Sequence, residues 1–207
     1  MKTFVDAVES SRKHLIVKTG VTNLTFLSDY VSDNNGSIYR YSHLGCFAGG
    51  SWAYGGRLLN RPDIIQAGLE LAESCARTYL GTATGLGPNS FGYYDADGKI
   101  KGYTKTVGQG QQEFYNEHGY FLLNAAGYHG PEVLESVVYA WRITGQQLWR
   151  DIAWEFFKSM SKYFDTKTGW AQFSDVNNVS AEQIDDQGSY LYAEVFKYLV
   201  SASCRPW

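Results

Sequence analysis

EFYNEHGYFLLNAAGYHGPEVLESVVYAWRITG, residues 113–145, holds the turn and the helix from which the fold is read. Gly130 is conformationally permissive, and Pro131 brings a φ near the helical value without an N–H to satisfy. Gly-Pro therefore reads as a turn that delivers the first residue of a helix. Leu134, Val137, Val138 and Trp141 then recur at helical spacing and Thr144-Gly145 supplies the stop, which predicts an amphipathic helix over 131–144. Glu132 and Glu135, three residues apart, share one face of it. By pattern alone they fit a first-turn carboxylate favoured by the macrodipole and a solvated glutamate more readily than a catalytic pair.

Working outward, residues 112–126 are expected to form the helix before the Gly-Pro turn and residues 147–164 the helix after the central one. Residues 46–58 and 62–80 make an earlier helical pair, the second opened by Arg61-Pro62-Asp63 and closed by Gly81. The arrangement repeats: Trp52-Ala53-Tyr54 with Arg57, followed by Asn60-Arg61-Pro62-Asp63, is loosely echoed by Tyr139-Ala140-Trp141-Arg142 followed by Trp149-Arg150-Asp151. Thr-Gly recurs after each second helix, at 84–85 and 168–169. Self-similar hairpins of this kind need their neighbours to bury their apolar faces, which argues for an α/α toroid. The expected fold class is all-α, built of helical hairpins, with short β elements in the loops.

The remaining segments are read from the same signals. Phe4, Val8, Leu15 and Ile16 with Asp6, Glu9, Arg12 and Lys13 around them predict an amphipathic helix over 3–18, packed against the other helices. Residues 19–42, rich in Gly, Thr, Asn, Ser and Asp, read as a loop with one strand at 24–27. The connection over 81–112 is long and full of Gly, Asn, Asp and Tyr, which marks a functional loop. A short strand is expected at 169–173 and a last helix at 188–201. The whole chain, 1–207, is read as one domain.

A chain of 207 residues, 44% of them hydrophobic, has enough sequence to bury a sizeable core. Its 18 basic and 21 acidic residues leave a net charge of −3 with no basic run, which gives no footprint for nucleic acid or an anionic membrane. A neutral partner fits better. The 16 Tyr and 6 Trp suit stacking on the C–H faces of sugars, and equally suit a helical core of bulky side chains. No apolar run reaches the ~18 residues of a membrane span, and Asp6 and Glu9 follow Met1 too closely for a secretion signal. Asn23-Leu24-Thr25, Asn35-Gly36-Ser37 and Asn178-Val179-Ser180 are glycosylation sequons, usable only in the secretory pathway. The 3 cysteines are too few for a disulfide scaffold.

Four stretches carry a resemblance. GPEVLESVVYAWRITG (130–145) resembles the R-P-E-x-x-E-S motif of the glycoside hydrolase family 47 (class I) α-1,2-mannosidases, its fungal members above all. HLGCFAGG (43–50) resembles that family's H-L-x-C-F-x-G-G, and QGSYLYAEVFKY (187–198) its x-E-S-F-x-x-A-E-x-x-K-Y. GLGPNSFGYY (85–94) resembles its G-x-G-P-E-S-F, with Asn89 where a Glu is usual. The motifs stand in the family's order, and the likeness runs from about residue 24 to 198.

The resemblance implies a partial (α/α)7 barrel and inverting hydrolysis of α-1,2-linked mannose from high-mannose oligosaccharides or glycoproteins, in the secretory pathway or outside the cell. It assigns Glu132 as the base, Glu135 and Glu194 as further pocket carboxylates, His43 at the pocket border, and Tyr190 where the family has Phe against the sugar ring. It also implies a Cys46–Cys75 disulfide, leaving Cys204 unpaired. The cofactor implied is Ca²⁺, held in the family by a Thr of a T-E-A-H-P motif that has no counterpart through Trp207; the metal-ligating residues of this chain are unknown. The family's acid Glu and the Asp of its D-S-x-x-E motif have no counterpart between Met1 and His43. Gly130 replaces an Arg that contacts substrate, and Gly188 replaces a Glu. The chain thus resembles the C-terminal half of such a mannosidase. Three readings follow: an incomplete and inactive part of an α-1,2-mannosidase, a non-catalytic relative that binds mannose glycans, and a helical interaction domain of another kind. The first predicts that His43, Glu132, Glu135 and Glu194 converge at one end of the helices.

Overall fold

The computed structural model describes residues 1–32, 36–102 and 107–203. Asn35 of the second sequon, Cys204 and part of the 81–112 connection lie outside the described residues. The chain divides into two compact units: Met1–Ser42 with Ser90–Leu123, and His43–Asn89 with the residues from Asn124 onward. The expectation of an all-α chain of helical hairpins with short β elements in its connections holds, with more strands than the sequence announces.

The first unit contains most of them. Helix α1 runs over Lys2–His14 and stops four residues short of the expected end, because Ile16 and Val17 are β-branched and form strand β1 (Ile16–Lys18). Its one buried residue is Val8, and it sits in this strand-rich unit and not among the hairpins. β1 pairs antiparallel with β2 (Thr25–Leu27), so that Val17 faces Phe26. The expected loop over 19–42 then holds three more strands, β3 (Asp29–Val31), β4 (Gly36–Ile38) and β5 (Arg40–Ser42). β5 pairs with β6 (Ser90–Gly92), which lies between it and β7 (Phe121–Asn124). Aromatic rings hold these short ladders together: Phe26 is fully buried with its ring 4.8 Å from Phe91 and 5.0 Å from Tyr93. The helix expected over 112–126 is instead α4 (Gln109–His118) followed by β7. Gly119 ends the helix in the left-handed region at φ 80°, and a methyl group there would meet Thr22 Oγ1.

The second unit is the helical part. α2 (Phe47–Leu58) follows a 3₁₀ turn at Leu44–Cys46 and packs on α3 (Pro62–Leu80) at backbone distance. A Cβ on Gly68 would lie 2.4 Å from the Ala53 nitrogen, and one on Gly49 would lie 2.7 Å from the Ala72 nitrogen. Cys46 and Cys75 form the disulfide, their Cα atoms 6.0 Å apart, which pins the start of the first helix to the second. α5 (Glu132–Thr144) is the central helix: Val133, Leu134, Ser136, Val137, Val138, Ala140 and Trp141 are buried, and Gly145 stops it at φ 69°. Ser136 ties it to α2, since its hydroxyl donates to the Cys46 carbonyl at 2.7 Å and accepts from the Gly50 N–H at 2.8 Å. α6 (Gln147–Tyr163) follows, and the expected last helix opens as a π-helical turn, Leu191–Val195, before α7 (Phe196–Ser203). Arg150 Nε donates to the Ala202 carbonyl at 2.9 Å, satisfying one of the carbonyls that a helix end leaves open. The expected strand near 169–173 is β8 (Gln172–Phe173), paired with β9 (Gln183–Ile184).

Candidate functional site

His43 opens one sequence motif and Glu132 belongs to another, and the fold brings them into contact. The Pro131 turn lifts Glu132 into the first position of α5, while His43 stands just before the 3₁₀ turn that leads into α2. Nδ1 of His43 lies 3.0 Å from Glu132 Oε2, at a sequence separation of 89 residues. The other ring nitrogen, Nε2, is hydrogen-bonded to the hydroxyl of Tyr79 on α3. A carboxylate oxygen only accepts, so in the neutral ring Nδ1 carries the proton and Tyr79 donates to Nε2. Burial pushes the Tyr79 phenol well above its ordinary range, with smaller contributions from Tyr128 and Glu132, and keeps it a donor. The His43 side chain is 1% exposed and that of Glu132 15%, which leaves the carboxylate at the edge of solvent. Glu132 Oε1 has no protein hydrogen bond among the described residues.

Gly130 makes this contact possible. A Cβ at that position would stand 2.6 Å from Glu132 Oε2 and 2.7 Å from His43 Nδ1, closer than real Cβ atoms approach. Tyr128 packs its ring edge on His43 with 4.9 Å between centroids. Burial raises the Tyr128 phenol, and the charge of Glu132 and the neighbouring Tyr190 raise it further. Tyr190 is half-buried, and burial raises its phenol too, followed by the charges of Asp186 and Glu132. Its ring lies back over Gly188, where a Cβ would come within 2.3 Å of its Cζ.

Glu135, one turn along α5, accepts a 2.7 Å hydrogen bond from the Tyr198 hydroxyl on α7. Burial raises the Tyr198 phenol first, then the bond to Glu135, with Glu194 a further charge nearby. Glu194 lies on the π-helical turn, a local unwinding common at functional positions. The fold therefore joins His43 to Glu132 directly and gives Glu135 and Glu194 a common neighbour in Tyr198; no hydrogen bond joins the two pairs among the described residues. Tyr79, Tyr128 and Tyr198 escaped the sequence reading. Tyr79 sits at helical spacing among apolar residues and reads as core, and nothing local tells that its hydroxyl faces a histidine 36 residues away. A groove of 480 Å³ between α6 and α7, walled by Trp154, Phe157, Leu199 and Val200, carries none of the predicted residues.

Ca²⁺ requires roughly 6 to 8 oxygen ligands. Among the described residues no group of three His, Cys, Asp or Glu side chains is placed to hold a metal ion. No helix among the described residues is long and apolar enough to cross a membrane.

Residues 1–200 match the family described as glycosyl hydrolase family 47. The chain is 42% identical over 198 residues to the probable mannosyl-oligosaccharide α-1,2-mannosidase 1B of Neosartorya fischeri, covering 94% of this chain and 38% of that protein. It is 42% identical over 199 residues to the mannosyl-oligosaccharide α-1,2-mannosidase 1B of Aspergillus oryzae, covering 95% of this chain and 37% of that one. Among solved structures it is similar to an α-1,2-mannosidase from Trichoderma reesei, with a TM-score of 0.89 at 30% identity over 97% of this chain and 41% of the other. The chain thus spans about two fifths of the length of these relatives.

Proposed function

Because the chain belongs to glycosyl hydrolase family 47, we propose that residues 1–207 are part of one α/α-toroid domain that takes α-1,2-linked mannose of high-mannose oligosaccharides at Glu132. The observation that carries this is the Tyr79–His43–Glu132 chain of hydrogen bonds, in which a buried imidazole holds one oxygen of a half-open carboxylate. With Oε2 accepting from His43, Oε1 is left to take a proton from a water that attacks the anomeric carbon on the face opposite the leaving oxygen. That is the base half of an inverting hydrolysis. The departing oxygen needs a proton from a separate acid, which in this reading comes from family motifs with no counterpart in these residues. Glu135 and Glu194 supply further acceptors for sugar hydroxyls, and Tyr190 the ring surface. Ca²⁺ belongs to this reading only with ligands beyond those described. The Cys46–Cys75 disulfide supports folding in the secretory pathway or outside the cell. Mannose-glycan binding without hydrolysis is a second reading, favoured by Gly130, whose place His43 and Glu132 fill.

Titration of the 207-residue chain with α-1,2-mannobiose, followed by protein-detected NMR, tests the site. Binding that weakens in both His43→Ala and Glu132→Gln is expected. No binding by the unsubstituted chain, or binding indifferent to both changes, would overturn the assignment.

A further inference from the structure

Two phenols that feel the charge of Glu132 have hydroxyls with no hydrogen-bond partner among the described residues. In this unit Tyr79 donates to His43 and Tyr198 to Glu135 at 2.7 Å, while the Tyr192 hydroxyl accepts from Gln187 at 2.8 Å. The hydroxyls of Tyr128 and Tyr190 make no hydrogen bond among the described residues. Both residues are half-buried. Both are close enough to Glu132 to feel its charge. Burial raises both phenols, so at neutral pH each remains O–H and a donor.

Their placement is built in. Tyr128 is packed at an angle against the His43 ring, with centroids 4.9 Å apart. Tyr190 is seated by an absence: its Cζ, Cε1 and Oη lie 2.3, 2.6 and 2.7 Å from where a Cβ on residue 188 would be. Any side chain at 188 would evict the phenol from this position. We propose that Tyr128 and Tyr190 are ligand-orienting residues that donate hydrogen bonds to hydroxyls of the mannose held at Glu132, and that Gly188 is the residue that seats Tyr190 for this. The inference rests on the mannoside reading of the Glu132 site. A neutral polyol answers this set of groups, since each sugar hydroxyl both accepts from a phenol and donates to a carboxylate oxygen. An anionic ligand would meet the carboxylate charge, and no Lys or Arg among the described residues pairs with Glu132 to offset it.

Tyr→Phe removes the hydroxyl and nothing else, and since neither hydroxyl bonds to protein, a structural role predicts no change in affinity or melting temperature. The 207-residue chain and its Tyr128→Phe, Tyr190→Phe and Gly188→Ala variants are titrated with α-1,2-mannobiose by NMR, with melting temperature measured in parallel. Each Phe variant is expected to raise Kd about 2- to 10-fold, the range for one lost hydrogen bond, at unchanged melting temperature. Gly188→Ala should weaken binding to a similar extent although both hydroxyls remain. Binding by the unsubstituted chain that is indifferent to both Phe changes, or to Gly188→Ala, overturns this inference and leaves the mannoside reading standing. No binding by the unsubstituted chain overturns that reading, and this inference with it.

Discussion

The Glu132 carboxylate occupies the space that Gly130 leaves: a methyl group on residue 130 would stand 2.6 Å from Glu132 Oε2. The same methyl group would be 2.7 Å from His43 Nδ1, so both ends of the 3.0 Å hydrogen bond are affected together. His43 is buried and cannot retreat, whereas Glu132 is at the edge of solvent. Gly130→Ala is therefore expected to swing the carboxylate outward and leave Nδ1 unpartnered, at about 1 to 3 kcal/mol of stability. The check is the Nδ1 proton resonance of His43 together with the urea midpoint. An unshifted resonance would show that the pair tolerates a side chain at 130.

His129, next to this turn, carries a pH dependence. Its side chain is fully buried, its ring stands edge-on to Phe164 at 4.7 Å, and neither ring nitrogen has a partner among the described residues in hydrogen-bond geometry. Burial lowers its pKa; the Ala171 backbone and the charge of Asp186 oppose that with smaller effect. The folded state thus prefers the neutral ring. Above the unfolded His value, about 6.5, that preference costs nothing; as pH falls below it the unfolded chain binds a proton the folded chain refuses, and stability declines. One such group gives a slope of at most about 1.4 kcal/mol per pH unit. Urea midpoints at pH 7.5 and 5.5 should diverge in the unsubstituted chain and diverge less in His129→Leu. Equal divergence in the two would place the pH dependence elsewhere.

How far the sequence could carry these conclusions depended on the range of the forces involved. α3, α5 and α6 were legible because proline, glycine and apolar spacing act within a turn or two of the helix. α4 ends earlier than its pattern announces, since Tyr120-Phe121-Leu122-Leu123 continues a helical spacing, and what stops it is Gly119, left-handed and packed on Thr22. β3, β4 and β5 are three-residue strands in polar sequence, held by partners rather than by their own composition. Likewise Glu132 read as an ordinary first-turn carboxylate until the motif set it beside His43. The tyrosines around that pair stayed hidden because a buried phenol with a polar task has the same local signature as a buried phenol without one.

The disulfide and Ser136 act on the same junction. Cys46 is bonded to Cys75 across a separation of 29 residues, and its carbonyl accepts from Ser136 of α5. Closing a loop of that length contributes roughly 3 to 4 kcal/mol by the chain-entropy estimate. A Cys46→Ser, Cys75→Ser double variant should lose about that much in urea denaturation. Ser136→Ala should lose about 1 to 3 kcal/mol by stranding the buried Cys46 carbonyl and Gly50 N–H. Because both changes loosen α2, their combination should depart from additivity. Strict additivity would mean that the disulfide and the serine stabilise separate parts of the unit.

The 207-residue chain by itself should not hydrolyse α-1,2-mannobiose at a useful rate. Glu132 has the setting of a base, with Oε2 held by His43, but a base alone leaves the departing oxygen unprotonated. General acid catalysis is typically worth about 10² to 10⁴-fold. Glu135 is committed to Tyr198, accepting its hydroxyl at 2.7 Å, and is not free to face the departing oxygen. Glu194 is the remaining carboxylate near that pair, and no contact among the described residues links it to Glu132. If Gly130 stands where the family resemblance puts a substrate-contacting Arg, sugar positioning is expected to loosen as well, and small misplacements cost about another 10²-fold. Purified chain is to be incubated with α-1,2-mannobiose and Ca²⁺ and assayed for free mannose, with Glu132→Gln and Glu194→Gln in parallel. The expected result is background release in all three. Release by the unsubstituted chain that vanishes in both variants would reverse the prediction and assign Glu194 as the acid opposite Glu132.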